Sequence, residues 1–231
     1  MNNNEILVCG DIHGEWGPLN KLISRYKPEI ILQCGDFGWW PKLHNTELIK
    51  TGRRWKKWNQ YGLKNGDTKI YFCDGNHEDH WDLKEYDGMK EIMPNVFYMP
   101  RGSVLELPDS RKVLFMGGAS SIDKDRRIVG HDWFPEEEIN QKDLYDLTND
   151  EINIIISHTC PTEFRKGAEF CEFKHKDWSN EALSFLLEKY SPELWYFGHF
   201  HYYDISKYLN TKWYCLNTIG GSYWWKRLDE I

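Results

Sequence analysis

The feature that most constrains this chain is a pattern that recurs along it: a short apolar run stops, and side chains that can bind a metal follow at once. The first case is Ile6-Leu7-Val8-Cys9 followed by Gly10-Asp11-Ile12-His13. An Asp and a His at the exit of a buried strand suit a hard or borderline cation better than they suit a core. The positions that follow such runs are Asp11/His13, Asp36, Asn76/His77, His158 and His199/His201.

The first third of the chain alternates between two kinds of segment. Apolar runs at 5–9, 30–34 and 69–73 predict strands, and the segments 18–26 and 46–61 between them predict helices. This alternation is typical of a parallel sheet covered by helices. Because sites in such sheets form at the carboxyl ends of strands, polar residues far apart in the sequence can converge there.

The remaining segments predict further strands and few helices. Short strands are expected at 96–99, 104–107 and 112–116, with a hairpin turn at Asp109-Ser110, and the acidic segment 135–146 is expected to be helical. A strand at 152–156, a helix at 180–190, a strand at 194–197 and a hairpin formed by 204–209 and 212–216 complete the chain. The sequence shows no internal repeat or low-complexity linker. We therefore expect a single domain over residues 1–231, with sheet inside and helices outside.

Composition limits the partners of the chain. The net charge of −7 over 231 residues argues against non-specific binding of nucleic-acid backbones. It leaves a small phosphorylated substrate open, because bound cations would supply local positive charge. The basic run Arg53-Arg54-Trp55-Lys56-Lys57-Trp58 falls in the segment expected to be helical. A packed helix with a solvated basic face is favoured there over a nucleic-acid patch.

Cysteine usage and hydropathy suggest a location. None of the six Cys forms a CxxC pair, and Cys9, Cys34 and Cys73 lie in apolar runs, as free thiols do. The N-terminus, Met-Asn-Asn-Asn-Glu, has no secretory character, and no apolar run reaches the length of a membrane span. We expect a cytoplasmic protein that does not associate with membranes. Nothing in the sequence indicates its oligomeric state.

The candidate ligands point to a particular kind of metal site. They offer oxygen and nitrogen and no sulfur, which suits Mn, Fe, Zn or Ni and argues against a structural Cys-rich zinc site. Two ions about 3.5–4 Å apart that share a carboxylate can hold a hydroxide and clamp a phosphoryl group. Seven ligands suit such a pair better than one ion with open positions. The seven are Asp11, His13, Asp36, Asn76, His158, His199 and His201.

Taken in order, these motifs resemble those of the calcineurin-like metallophosphoesterases. The matching motifs are Asp11-Ile12-His13, Gly35-Asp36, Gly75-Asn76-His77-Glu78, His158 and Gly198-His199-Phe200-His201. They span nearly the whole chain. The resemblance implies a four-layer α/β/β/α sandwich with mixed sheets and a metal-dependent phosphoric ester hydrolase. It also implies two divalent metal ions, with Mn²⁺ favoured and Fe, Zn or Ni as alternatives.

The resemblance also implies a role for each position. Asp36 would bridge the two metals, and His77 would act as general acid on the leaving oxygen after a metal-bridging hydroxide attacks phosphorus in line. General acid catalysis of this kind is typically worth about 10²–10⁴-fold. The other six residues would divide into two sets of three, Asp11, His13 and His201 for the first metal and Asn76, His158 and His199 for the second.

The chain departs from the protein-phosphatase branch of that superfamily. That branch carries an Asp-Arg-Gly at the second motif and an Arg before Gly-Asn-His-Glu, whereas this chain has Asp36-Phe37-Gly38 and Asp74 there. The Gly-His-x-His ending is more similar to the phosphodiesterase-type branches. The expected substrate is a small phosphodiester or phosphomonoester, with a nucleotide as one candidate. A phosphoprotein phosphatase and a non-catalytic binding scaffold are the alternatives.

Three further features have an alternative structural explanation. Gly117 to Asp123, followed by Arg126-Arg127, could form a loop near the metals in which an arginine holds the substrate phosphate, or an ordinary loop with solvated arginines. Trp39, with Trp40, could wall the mouth of the site and stack a base, or cover the edge of the sheet. His80 is expected to be a surface or hydrogen-bonded histidine. A role near the site is the alternative, because His77 is one turn away.

Overall fold

The computed structural model describes residues 5–41, 48–51, 54–57, 62–166, 168 and 177–229 of the chain. In chain order the strands are β1 (Ile6–Cys9), β2 (Ile30–Gln33), β3 (Leu48–Thr51), β4 (Arg54–Lys57), β5 (Lys69–Phe72), β6 (Lys90–Met93), β7 (Val96–Tyr98), β8 (Val104–Glu106), β9 (Lys112–Met116), β10 (Ile154–Ser157), β11 (Leu194–Phe197), β12 (Asp204–Tyr208), β13 (Thr211–Cys215) and β14 (Trp225–Arg227). The α-helices are α1 (Trp16–Tyr26), α2 (His80–Leu83) and α3 (Trp178–Tyr190), and short 3₁₀ segments occupy Lys124–Arg126, Pro135–Glu137, Gln141–Leu144 and Thr162–Arg165.

Two six-stranded mixed sheets form the centre of the molecule. The first has the order β14-β1-β2-β5-β7-β6 and the second the order β12-β13-β11-β10-β9-β8. In each sheet the four central strands are parallel and the two edge strands are antiparallel. The parallel arrangement predicted for 5–9, 30–34 and 69–73 is therefore confirmed, with Leu7 opposite Ile31 and Ile31 opposite Ile70.

The alternation of side chains along the strands builds three apolar layers between four layers of structure. Leu7 and Ile31 face α1, whereas their neighbours Ile6 and Val8 face the second sheet. The second sheet in turn packs its outer face, including Trp195, against α3. The result is the predicted four-layer α/β/β/α sandwich.

The two long helices cover the sheets with an apolar stripe of the expected spacing. The buried positions of α1 are Trp16, Leu19, Leu22 and Ile23. The helix ends where Lys27 adopts a left-handed conformation with φ of 47° before Pro28. Asp177 caps α3 by accepting a hydrogen bond from the Ser179 backbone N–H. Within the described residues, no helix has the length and apolar character needed to cross a membrane.

The helix expected over 46–61 is wrong. In the described part of that segment, β3 and β4 pair as an antiparallel hairpin in which Thr51 lies opposite Arg54. Ile49, Thr51 and Trp55 are β-branched or aromatic residues, which favour a strand. Arg54–Lys57 of the basic run therefore lie on a strand. Arg53 and Trp58 of the same run lie outside the described residues.

The helix expected over 135–146 is also wrong. The segment forms two 3₁₀ segments separated at 138–140, and Asn140 starts the second with a capping box that it makes with Asp143. Arg101 donates hydrogen bonds to the carbonyl groups of Glu136, Glu137 and Glu138. These carbonyls are therefore bound to a guanidinium group, and an α-helix would need them for its own hydrogen bonds.

The sequence also missed two edge strands, β6 and β14, since neither shows a marked apolar alternation. The other predicted strands, the helices at 18–26 and 180–190 and the hairpins at Asp109-Ser110 and near Asn210 are present with bounds that shift by a few residues. The five cysteines that the structure describes are buried free thiols, and Cys171 lies outside the described residues.

Candidate metal centre

The predicted ligands lie together because each follows the carboxyl end of a central strand. Asp11 and His13 follow β1, Asp36 follows β2, and Asn76 follows β5, all from the first sheet. His158 follows β10, and the pair His199 and His201 follows β11, both from the second sheet. The site thus forms where the same ends of two stacked sheets meet.

One group of ligands contains Asp11, His13, Asp36 and His201. One ligand atom from each lies within 4.8 Å of the others. Nε2 of His201 is 3.0 Å from Oδ2 of Asp11, and Nε2 of His13 is 3.6 Å from Oδ2 of Asp36. These atoms surround a common point, as the ligands of one cation do.

A second group contains Asn76, His158 and His199. Oδ1 of Asn76 lies 3.0 Å from Nε2 of His158 and 3.0 Å from Nδ1 of His199. The two ring nitrogens are 3.3 Å apart. This group offers one amide oxygen and two imidazole nitrogens to a single point.

Asp36 lies between the two groups. Its Oδ2 atom faces His13, and its Oδ1 atom lies 3.4 Å from Nε2 of His158. The carboxylate is buried and also accepts a hydrogen bond from the His77 backbone N–H at 2.8 Å. A carboxylate with one oxygen toward each ligand group has the geometry of a bridging ligand.

The arrangement fits bound divalent cations. Nε2 of His13 and Nε2 of His201 are only 3.2 Å apart, and the ring nitrogens of His158 and His199 are about as close. Two imidazole nitrogens at this distance must share a proton or a cation, because their lone pairs otherwise repel. Nitrogen and carboxylate donors without thiolates suit a borderline or hard ion.

Electrostatics prepares these groups for a cation. Burial lowers the pKa of His199 to about 3, and burial also lowers the pKa of His13, so both rings are neutral at pH 7. Burial opposes ionisation of Asp36, but the surrounding histidines, His158 foremost, hold the pKa of its carboxyl well below the usual range. Burial likewise lowers the pKa of His201, but its hydrogen bond with Asp11 and the charges of Asp11 and Asp36 together outweigh burial and raise the pKa overall.

The backbone at the ligands is in an unusual conformation. Asp36, His13, His199 and His201 have φ values of 53°, 50°, 69° and 53°, in the left-handed region that non-glycine residues seldom adopt. Each such residue costs of order 1–3 kcal/mol, and clusters of them mark functional sites. The surrounding fold maintains the conformation: the backbone N–H groups of Ile12 and His13 both donate to the Asp36 carbonyl.

Two glycines permit the close approach of the ligand loops. A Cβ atom at Gly75 would lie 2.2 Å from Oδ1 of Asp36, and one at Gly198 would lie 2.0 Å from Oδ1 of Asp11. Real Cβ atoms do not approach other atoms so closely. The glycines in these two motifs are therefore required by the packing of the ligands themselves.

Further buried groups hold the ligands in place. Nδ1 of His158 lies 2.8 Å from the Cys34 carbonyl, a contact that leaves its Nε2 lone pair for a metal. Glu78 accepts hydrogen bonds from the backbone N–H groups of Gly38 and Gly75 and so ties together the loops after β2 and β5. Burial raises the pKa of Glu78 well above its usual value, with Asp36 acting in the same direction.

His77 stands beside the ligands and not among them. Its ring meets the His13 ring edge-on at 5.1 Å between centroids, and its Nε2 atom lies 3.1 Å from Nη2 of Arg127. Both His77 and Arg127 line a cavity of about 310 Å³ that opens over Asp36 and Asn76. Ile122 and Phe200 contribute apolar surface to this cavity.

The structure brings some of the predicted substrate residues to the cavity and not others. Arg127 lines it, as do Ser120, Ile122 and Asp123 of the loop expected there from the sequence. Arg126 does not line it and is exposed. Trp39 does not form the mouth: it is buried in the core, where its indole N–H donates to Oδ2 of Asp82 at 2.8 Å. Although Trp39 follows Asp36 by only three residues, its apolar ring packs in the core and does not line the cavity.

Sequence reasoning missed other residues of the site. Arg165 and Asn180 also line the cavity, and Nη1 of Arg165 donates to Oδ1 of Asn180 at 3.0 Å. No motif marks either of them. His80 is buried behind the site, with its Nδ1 atom 4.0 Å from Oδ2 of Asp74.

With this geometry established, comparison with known proteins decides the family. Residues 5–203 match the sequence model of the calcineurin-like phosphoesterases. This chain belongs to that family. Membership agrees with the resemblance found in the sequence.

Among curated proteins, this calcineurin-like phosphoesterase is similar to lariat debranching enzymes from three organisms. Its identity to the Arabidopsis thaliana protein is 23% over 236 residues, which cover 85% of this chain and 54% of the relative. Its identity to the Schizosaccharomyces pombe protein is 25% over 221 residues, which cover 84% of this chain and 47% of the relative. Its identity to the Drosophila pseudoobscura pseudoobscura protein is 24% over 234 residues, which cover 85% of this chain and 42% of the relative. The chain therefore spans about half the length of the curated relatives it matches.

Proposed function

We propose that this chain is a dinuclear phosphoesterase that hydrolyses a small phosphodiester, with nucleotides as the candidate class. The observation that carries the proposal is the position of Asp36, which turns one carboxylate oxygen toward each of two ligand groups. His77 and Arg127 stand on the open side of this carboxylate, where a substrate enters.

The proposed ligand sets follow the two groups of donor atoms. Asp36 would serve both metals. The first set is Asp11, His13 and His201, and the second is Asn76, His158 and His199. When bound, two divalent cations supply an activated water at neutral pH and neutralise charge on phosphoryl oxygens. We propose Mn²⁺ as the ion, with Fe, Zn or Ni as alternatives, because all of these accept mixed nitrogen and oxygen ligands.

The chain's own residues then act on the substrate. A guanidinium group offers N–H donors in a planar fork that matches phosphoryl oxygens, so Arg127 binds the phosphate. The pairing of Arg127 with Asp123 at 2.6 Å orients this fork toward the cavity. His77, whose ring lines the cavity, would protonate the leaving oxygen. Burial lowers the pKa of His77 to about 3, and the negative charge of a bound phosphate would raise it so that the ring takes up the proton it then donates.

A phosphodiester is the favoured substrate class for three reasons. The arginines typical of the protein-phosphatase branch are absent, since Phe37 and Asp74 stand at those positions. The cavity is of nucleotide size and carries apolar surface from Ile122 and Phe200, against which a flat base can pack. The relatives are named for debranching lariats, although they are about twice as long as this chain.

The test is hydrolysis of bis(4-nitrophenyl) phosphate and 4-nitrophenyl phosphate by metal-stripped protein reloaded with Mn²⁺. We expect turnover that depends on added metal, with the diester preferred. Asp36→Asn is the control: it removes the charge that bridges the metals, so it should abolish turnover and weaken binding of both Mn²⁺ ions. No turnover of either ester by folded protein with Mn²⁺, Fe²⁺, Zn²⁺ or Ni²⁺ would overturn the proposal, as would full activity of D36N.

A further inference from the structure

We propose that Glu137 and Ser121 are positioning residues of the second metal site, where they hold the Asn76 carboxamide with its oxygen toward the ion. Neither residue is among those that line the cavity. The inference rests on the two-metal function proposed above, and it assigns a role to two residues that the catalytic motifs do not include.

The observation is a short chain of buried hydrogen bonds. Nδ2 of Asn76 donates to Oγ of Ser121 at 3.0 Å. The Ser121 hydroxyl donates to Oε2 of Glu137 at 2.8 Å, and the Ser121 backbone N–H donates to Oε1 of the same carboxylate. Glu137 has no exposed surface, Ser121 is 1% exposed and Asn76 is 5% exposed. Water therefore cannot readily replace these partners.

The direction of these bonds decides which way the amide of Asn76 points. A carboxylate only accepts hydrogen bonds, so the Ser121 hydroxyl proton is committed to Glu137. The hydroxyl oxygen can then only accept from Asn76, which must present its NH₂ group to Ser121. Oδ1 of Asn76 is consequently left facing His158 and His199, which is the orientation that a metal ligand needs.

The same network joins the two sheets at the site. Asn76 follows β5 of the first sheet, whereas Ser121 and Glu137 belong to the segment that leaves β9 of the second sheet. Arg101 anchors this segment through the carbonyl group of Glu137 and pairs with Asp74, two residues before Asn76, at 2.7 Å. The Asn76 loop is thus fixed to the second sheet, which supplies the two histidines proposed for that metal.

The loop provides a matched control. Ser120 and Glu138 are the neighbours of Ser121 and Glu137, and the Ser120 hydroxyl donates to Oε1 of Glu138 at 2.8 Å, the same distance. The Ser121 hydroxyl accepts from Asn76, whereas the Ser120 backbone N–H donates to Asp177 at 2.9 Å. Comparison of the two pairs separates an effect on Asn76 from a general loosening of the segment.

The experiment is calorimetric titration of metal-free protein with Mn²⁺ at pH 8, combined with the spin-coupled signal of the Mn²⁺ pair in electron paramagnetic resonance. Wild-type protein should bind two Mn²⁺. In S121A one Mn²⁺ should bind as in wild type, and the other should bind at least about tenfold more weakly, because loss of a residue that hydrogen-bonds to a metal ligand costs about 10–100-fold in metal affinity. The spin-coupled signal should be reduced accordingly. E137Q should act in the same direction, because its NH₂ group opposes the Ser121 hydroxyl proton.

S120A and E138Q should retain both affinities. The inference is overturned if S121A and E137Q bind both ions as wild type does, or if the control pair loses as much affinity. Circular dichroism of the metal-free variants checks folding, and E137Q, which conserves shape, decides the outcome if S121A does not fold. If wild type binds two Mn²⁺ but hydrolyses no ester, the proposed function fails and this inference stands; if it binds fewer than two, this inference fails.

Discussion

Nη2 of Arg127 lies 3.1 Å from Nε2 of His77 and 2.6 Å from Oδ1 of Asp123. Because a guanidinium group has no acceptor, Arg127 donates and the ring nitrogen accepts. The candidate acid and the candidate phosphate ligand are therefore in direct contact. A phosphate that enters between them takes a donor of Arg127 and frees the ring nitrogen for a proton.

This contact predicts that Arg127, and not its neighbour, serves catalysis. Arg127→Ala should lower kcat/KM for bis(4-nitrophenyl) phosphate by about 10²-fold, in the range found when one preorganised donor to a developing charge is removed. Arg126→Ala is the matched control, since Arg126 is exposed and does not line the cavity. Steady-state kinetics of the two variants checks this. Equal losses of kcat/KM in the two variants would show that positive charge in this segment, and not the hydrogen-bond donors of Arg127, supports catalysis.

A general-acid role for His77 predicts a dependence on the leaving group. His77→Ala should cost about 10²–10⁴-fold with a diester whose leaving group is an alkyl alcohol, because such an oxygen needs a proton. The loss should be much smaller with 4-nitrophenolate, which leaves readily as an anion. Rates for a series of diesters show how the loss depends on the pKa of the leaving group. Mn²⁺ titration checks that the neighbouring candidate ligand, Asn76, still binds metal in the variant. An equal loss across the series would exclude the role.

The close approach at Gly198 predicts that this residue tolerates no side chain. Gly198→Ala would place a Cβ atom 2.0 Å from Oδ1 of Asp11, so the loop must shift and Mn²⁺ binding should fall together with activity. Gly17→Ala is the control, because a Cβ there meets nothing within 4 Å and the residue lies in α1. Titration with Mn²⁺ of both variants tests this. Wild-type metal binding by G198A would contradict the packing argument.

The environment of Glu137 predicts a pH dependence of stability. Burial raises the pKa of Glu137 to about 7 from the usual 4.5, although hydrogen bonds from Ser121 act against burial. A carboxyl whose pKa is higher in the folded state binds its proton more tightly there, so its stabilising contribution is complete below pH 4.5 and is lost as pH rises through 7.

The comparison is with Glu137→Gln, which does not titrate. For metal-free protein, the free energy of unfolding of wild type relative to E137Q should fall between about pH 4.5 and 7.5 and level off above. Urea denaturation at several pH values measures this difference. A difference that stays constant, or that rises with pH, would mean that the carboxyl is not perturbed as described.

Much of the fold could be predicted because strands buried on both faces leave a continuous apolar run in the sequence. The runs at 5–9, 30–34 and 69–73 were recognisable for this reason, and so were the polar residues at their ends. The segment 46–61 was misjudged although its described strands, Leu48–Thr51 and Arg54–Lys57, pair with each other. The second segment, 135–146, was misjudged because its conformation depends on a partner elsewhere. The carbonyl groups of the second segment are bound by Arg101, which lies more than thirty residues away.

The sequence by itself determined which residue types stand at the ends of the central strands, and hence the chemistry of the candidate ligands. Only the tertiary structure decided the rest: that Arg127 and not Arg126 meets His77, that Trp39 is buried, and that Glu137 contacts Asn76 through Ser121. The physical reason is the separation along the chain of the residues that interact. Burial and strand exit follow from neighbours along the chain, whereas a hydrogen bond between distant residues forms only once two sheets have packed.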